Sequence, residues 1–408
     1  MMEQQNDTIK PAKARLLSLD ALRGFDMFWI ISGEGIFHGL ANVVQTKHQL
    51  YRDPANWQIA TDNTLNLGER ISVGISNQLH HSPWNGFTFY DLIFPLFIFI
   101  AGISMPFSFG KEKYNSNDTG YTQNNSPKKN IYRSLIKRTL ILIFLGMVVN
   151  GLFKWQGYEN TRIASVLGRI ALSCFFAAII YLNCSLRSQI IWFAAILLGY
   201  WAAMILIPVP GYGAGVLTPE ANLEAYIDRL FLPGKLHRKI YDPEGLLSTI
   251  PAIATAMLGI FTGQLLRLQQ LTSKRKTVWL LAAGAAILLL GWLWGFVFPV
   301  NKNMWTSSFV LVAGGWSILL FTLFYFVIDV IGFKKWCMPF VWIGCNSILI
   351  YMAAHGLVNF EATSVFLFGG MYDKLPEVWH DAMLWTGVAL IQLAILYFLY
   401  RKKWFLKI

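Results

Sequence analysis

Charge is what this chain has least of. Only 14% of its 408 residues are Asp, Glu, Lys or Arg, while 55% are hydrophobic and the mean hydropathy is positive. A soluble domain carries about a quarter charged residues, so a soluble enzyme is excluded and an integral membrane protein indicated. Cysteine is scarce as well. Cys174, Cys184, Cys337 and Cys345 have no metal-ligand spacing, so no metal site is expected, and they read as small hydrophobes rather than a disulfide framework. Walker loops, dinucleotide-binding glycine runs and solenoid or propeller repeats are missing. So is a cleavable signal peptide, because a polar tail precedes the first apolar run and that run carries charges of its own. The net charge of +12 does not call for a nucleic-acid partner. Lys and Arg sit in short loops between apolar runs, as the positive-inside bias requires.

What is present is a series of long apolar runs. They fall at about 16–40, 87–109, 133–153, 163–183, 189–208, 246–267, 277–299, 306–331, 338–358 and 382–400. That predicts an all-α polytopic membrane protein of about ten transmembrane helices in one bundle. Residues 1–14 read as a disordered cytoplasmic tail, and 15–408 as one transmembrane domain with long outer loops at 41–85 and 209–245. With the N-terminus inside, the inner segments hold most of the basic residues and the outer ones roughly half as many, so both termini are expected in the cytoplasm.

One stretch organises the rest: His80-His81-Ser82-Pro83-Trp84-Asn85-Gly86-Phe87-Thr88-Phe89-Tyr90-Asp91. Two histidines stand at the mouth of the second run, and Asp91 lies about one turn inside it. An ionisable residue is expensive there and marks a functional site by default, and imidazole can move protons near neutral pH. Other polar groups gather at the same, outer, ends of other runs: Glu34, Arg162 and Arg169, Asp242-Pro243-Glu244-Gly245, and Asn301-Lys302-Asn303 ahead of Trp305 and Thr306. Buried charges need partners, so these ends are expected to converge on a polar cavity. Each piece has a plainer reading when taken alone. A histidine before a span is often interfacial, Asp-Pro-Glu-Gly is a good helix start, Asn301 to Trp305 could be a capping turn with an aromatic-belt residue, and Arg162 could snorkel or pair only with Asp242 and Glu244. Glu34 is hardest to dismiss, because a carboxylate that deep does not snorkel easily.

At the inner ends, Arg133, Lys137 and Arg138 share helical spacing. They read as topology signals, or as a greeting for a phosphorylated cosubstrate. Gly344-Cys345-Asn346-Ser347 suits close helix packing or the wall of a narrow channel. His355, further along that helix, reads as a residue that bonds a neighbour.

These motifs, with Ser18-Leu19-Asp20-Ala21-Leu22-Arg23-Gly24, Asp91-Leu92-Ile93-Phe94-Pro95 and Asp242 through Pro251, resemble in order the heparan-alpha-glucosaminide N-acetyltransferase family, specifically its bacterial members. The resemblance runs from about Leu16 to the last span. It implies a ten-span core in the bacterial inner membrane that takes acetyl-CoA from the cytoplasm and delivers acetyl to the amine of a terminal glucosamine on the far side. Dimers are plausible for the family. Its active-site histidine matches His81, not His80. Its polar first-span position, commonly Asn or Asp, matches Glu34, and the loop between Glu34 and His81 is longer here. On that footing His81, Glu34 and Asp91 are the expected catalytic residues, with Glu34 orienting His81. Trp84, Asn85, Arg162, Asp242, Glu244, Asn301, Lys302 and Asn303 would bind the acceptor, and Arg133, Arg138, Asn346 and Ser347 would hold acetyl-CoA. From another class, a proton-coupled amino-sugar transporter would suit the same cavity, with Gly33 and Gly35 breaking a helix around Glu34. A structural protein explains the buried charges least well.

Overall fold

The computed structural model describes residues 16–118 and 126–406, with side chains over the same ranges less 110–118 and 126–128. The expected tail at 1–14 lies outside the described residues. Among the described residues there is no strand, only isolated bridges. The helices are α1 (Leu17–Phe28), α2 (Glu34–His48), α3 (Leu67–Gln78), α4 (Phe89–Asp118), α5 (Ser126–Val149), α6 (Val166–Asn183), α7 (Leu186–Leu206), α8 (Leu223–Phe231), α9 (Thr249–Arg267), α10 (Ser273–Gly295), α11 (Ser307–Phe324), α12 (Met338–Cys345), α13 (Ser347–Met352), α14 (Phe360–Tyr372) and α15 (His380–Arg401).

Among the described residues, eight helical stretches are long and apolar enough to cross a membrane, and α12 with α13 makes a ninth if that pair, bent by 67°, is one span. The tenth expected run, 133–153, is helical within α5, which pairs antiparallel with α6 from the Tyr132–Asn183 bond (2.9 Å) to Asn150, whose amide donates to the Ala164 carbonyl. The first span is longer than expected, Leu17–His48, because a π-helical turn at Trp29–Gly33 joins α1 to α2 without interruption. Gly33 and Gly35 therefore break nothing. A Cβ on Gly35 would fall 2.2 Å from the Trp385 ring, so this glycine lets α15 pack closely. The two long loops hold helices of their own, α3 and α8, and α9 starts at Thr249, three residues later than the apolar run.

Close backbone approach sets the bundle. A Cβ on Gly259 would lie 2.1 Å from the Phe99 carbonyl, which brings α9 against α4. A Cβ on Gly344 would lie 2.0 Å from the Asp20 carbonyl, so the small residues of α12 serve close packing against α1. On α1, Arg23 pairs with Asp20 at 3.6 Å, the i,i+3 pair its spacing predicts.

Candidate active site

The site begins with the start of α4. Thr88 precedes the helix, and Asp91 reaches back to accept from the Thr88 backbone N–H at 3.1 Å, half of a capping box. The same carboxylate oxygen, Oδ2, accepts from the Thr88 hydroxyl (3.1 Å), the Ser82 hydroxyl (2.8 Å) and the Ser82 N–H (3.2 Å). Asp91 is buried and held from four directions, leaving Oδ1 to take His81 Nδ1 at 2.8 Å. A carboxylate accepts, so Nδ1 carries the hydrogen and Nε2 bears the lone pair. The partner that orients His81 is therefore Asp91 and not Glu34. Glu34 instead accepts from the Tyr90 hydroxyl and pairs with His38 Nε2 at 3.4 Å, while Tyr90 lies against the His81 ring at 4.7 Å between centroids.

Lys302 closes on the face of the imidazole from the loop before α11, with Nζ 3.0 Å from Nε2, 3.1 Å from Nδ1 and 3.9 Å from Asp91 Oδ1. The His81 ring is 47% accessible, but only to a cavity itself walled by protein. Burial, then the Lys302 ammonium, hold its pKa below the ordinary histidine value against the pull of Asp91. Burial also lowers the Lys302 pKa, with Asp91 and Glu244 working the other way. His80 is a different case. It stacks on His38 at 4.1 Å, and burial, then the His38 charge, bring it down to about 4.

His81 stands where two cavities meet. One, of about 620 Å³, is polar and is bordered by Glu34, Arg162, Glu244, Lys302 and Asn303, with Trp57 and Tyr241 also on its wall. The other, about 240 Å³, is mainly apolar and runs between spans past Phe94, Phe97, Ile170 and Ile348. His81, Tyr90, Glu244, Lys302, Tyr351 and His355 border both.

Of the residues expected to bind an acceptor, Glu244, Lys302, Asn303 and Arg162 reach this cavity. Arg162 is mostly spent on its neighbours: it forks onto Asp242 (2.9 and 2.5 Å) and also bonds Glu244. Burial opposes its charge, but the Asp242 bonds and the Glu244 charge outweigh that and raise its pKa. Asp242 is fully buried and also takes the His237 and Glu244 N–H groups, so it braces the loop rather than lining the cavity. The Asp-Pro-Glu-Gly segment is a turn ahead of α9, not its first turn. Trp84 donates to the Leu217 carbonyl, and Asn301 binds Asn85 and caps Met304 N–H; these three fix loops. Trp305 is no belt residue. It is completely buried, donates to Thr255, and carries the Arg169 guanidinium over its ring at 5.0 Å.

The residues expected to hold a cosubstrate are not gathered. Asn346 spends its amide on Trp404 O and Leu406 N at the α12–α13 bend, and Ser347 is buried beside it. Arg133 and Arg138 are exposed on α5 and border neither cavity. Arg138 does act electrostatically on Cys174, one turn along α6 from Ile170 of the apolar cavity.

Sequence reasoning passed over Tyr90, Ser82 and Thr88. The signal for Thr88 was there: a hydroxyl three residues before an acid at a helix start. A second buried cluster behind Glu244 was passed over as well. Arg169 bonds Ser248, whose hydroxyl donates to Glu224 Oε1 at 3.0 Å, and Asp228 lies one turn along α8 from Glu224.

No protein-family model matches the chain. Two curated proteins do resemble it, both called heparan-alpha-glucosaminide N-acetyltransferase. The mouse protein is 28% identical over 386 residues, covering 80% of this chain and 56% of its own length. The human protein is 29% identical over 386 residues, covering 80% and 55%. The similarity to these two proteins extends over four fifths of this chain. The chain spans about half the length of these curated relatives. Of the two adjacent histidines, His81 borders both cavities and His80 only the polar one.

Proposed function

We propose that the chain is a transmembrane acyltransferase that moves an acetyl group from acetyl-CoA to the amine of a glucosamine-type sugar. One observation carries the reading: a carboxylate-anchored imidazole, with Nε2 left as an acceptor beside the Lys302 ammonium, lies between an apolar passage inside the bundle and a polar chamber. The apolar passage suits a thioester arm entering from the cytoplasm, and the polar chamber suits a sugar arriving from the opposite face. Arg133, next to the Tyr132 that bonds Asn183 at the end of α6, and Arg138 just over one turn further along α5 would then meet the nucleotide phosphates.

In this scheme the amine nitrogen attacks the thioester carbonyl. Its surplus proton passes to His81 Nε2 and then to the leaving thiolate. Asp91 stabilises the imidazolium that forms in between. The Lys302 ammonium beside the ring faces the developing oxyanion. His81 could instead attack first and carry the acetyl group itself. Exchange of label between acetyl-CoA and free CoA without sugar separates the two routes. The founding test is His81→Ala in membranes given labelled acetyl-CoA and glucosamine, where transfer is lost. Full retention removes His81 from the chemistry.

A proton-coupled amino-sugar transporter is the second reading. Its support is the α12–α13 bend, a broken span beside the cavities. Sugar uptake into vesicles without acetyl-CoA would favour it over transfer.

A further inference from the structure

His355 lies beyond the helical part of α13, where the backbone leaves helical geometry. Its own φ and ψ are −97° and 43°, and Gly356 follows at φ 116°. That distortion, affordable because Gly356 has no side chain, turns the imidazole into the space between α1, α4 and α6. Nδ1 stands 3.0 Å from the Tyr351 carbonyl oxygen, and the Tyr351 ring stacks on the imidazole at 4.3 Å. A carbonyl only accepts, so Nδ1 carries the hydrogen and Nε2 is left as a bare acceptor. Among the described residues no hydrogen bond is made to it.

His355 borders three cavities. Two are the polar chamber and the apolar passage, both shared with His81. The third, of about 490 Å³, lies on the other side of the imidazole against Trp385, with Asn359, exposed Glu361 and buried Gln392 on its wall. Gln392 is 1% exposed and its Oε1 has no partner, so this third space holds an unanswered acceptor aimed inward. The titratable groups that share the polar chamber with His355 are the acids Glu34, Asp91 and Glu244, the bases Arg162, Arg238 and Lys302, the histidines His80, His81 and His237, and Tyr90, Tyr241 and Tyr351.

We infer that His355 is a second catalytic residue, the base that takes the first proton from the acceptor's ammonium group and passes it out through the third cavity. The inference rests on the acetyl-transfer reading. An amino sugar arrives largely protonated at neutral pH, and a protonated nitrogen has no lone pair with which to attack. His81 is poorly placed for this first proton, because the Lys302 ammonium stands within 3.1 Å of both its ring nitrogens and opposes a second positive charge there. In the balanced sequence the ammonium gives one proton to His355 Nε2. The freed nitrogen lone pair then forms the N–C bond to the thioester carbonyl. A second N–H proton goes to His81, the C–S bond breaks, and the thiolate collects that second proton. His355 then releases the first to solvent beside Glu361, so one proton leaves per turnover.

The test is the pH profile of kcat/KM for glucosamine in the full-length protein, reconstituted in lipid, with His355→Ala and His355→Asn. Asn retains an N–H to offer the Tyr351 carbonyl and guards against a packing defect. The expected result is a loss of about 10²–10⁴-fold near neutrality that shrinks to a few-fold once the amine is itself deprotonated, with added imidazole restoring H355A. Undiminished activity overturns the proposal, as does a loss equal at every pH in H355N with an unchanged unfolding midpoint. If the unaltered protein moves acetyl to no amine, the functional reading fails instead.

Discussion

Lys302 Nζ and His81 Nε2 stand 3.0 Å apart, with Asp91 behind both. A cation at that distance opposes protonation of the imidazole, so this lysine sets how acidic the medium can become before the base is lost.

Lys302→Met is expected to move the acid limb of the kcat/KM profile to higher pH, by about half a unit to one unit. The sign follows from the causes. Burial and Lys302 both lower the His81 pKa, and removing the second lets it rise toward the ordinary value, so protonation starts earlier on acidification. An acid limb that stays in place, or moves down, contradicts this arrangement.

Asp91→Asn keeps the shape of the helix start but offers His81 an amide. The imidazole is no longer held as the Nδ1–H tautomer, and kcat is expected to fall about 10²–10⁴-fold. Four donors from Ser82 and Thr88 also lose a charged acceptor, so the thermal midpoint should drop with a loss of about 1–3 kcal/mol. Activity assays and melting curves on one preparation check both.

Arg162→Ala strands Asp242, whose carboxylate is fully buried. The expected cost is about 3–5 kcal/mol of stability, larger than for Arg162→Ala with Asp242→Asn together, because the double change leaves no unpaired charge. A double-mutant cycle by thermal denaturation reads the difference.

Trp57 is 58% exposed at the rim of the polar chamber and has a left-handed backbone, φ 61°. On the acetyl-transfer reading its indole is a platform for the sugar face. Trp57→Ala should raise KM for a glucosamine acceptor about tenfold, close to 1.4 kcal/mol, with kcat little changed. A change confined to kcat would put Trp57 elsewhere in the cycle.

His80 gives a stability prediction with a different sign to check. Its folded pKa, about 4, lies below the unfolded value of 6.5, so the unfolded chain binds the proton first. Stability is therefore lost as pH falls from 6.5 toward about 4. His80→Gln should flatten the decline in melting temperature across that window.

Much of this was legible in the residues, for reasons that differ from case to case. Apolar runs reveal spans because lipid demands them, and the expected runs 87–109, 163–183 and 306–331 fall close to the observed spans Phe89–Phe109, Val166–Asn183 and Ser307–Val330. The run at 133–153 is the least plain of them, because Arg133, Lys137 and Arg138 occupy the first half of its helix. The gathering of Glu34, His81, Glu244 and Lys302 around one cavity was foreseen from where the costly residues fall along the chain. Their pairing was not. Which acid orients His81 depends on loop geometry between Ser82 and Thr88, and no spacing rule encodes it. Asn346 misled in another way: an amide in an apolar run looks like a ligand group, and only the fold shows it meeting the backbone near Trp404.

That last contact has a practical corollary. The bend before α13, and with it the angle at which Ile348, Tyr351 and His355 enter the cavities, is pinned by the stretch from Trp404 to Leu406. An affinity handle or fluorescent fusion grafted directly onto that stretch would tug on the reaction chamber from a distance. A flexible spacer should come first, or the instrument will perturb what it is meant to observe.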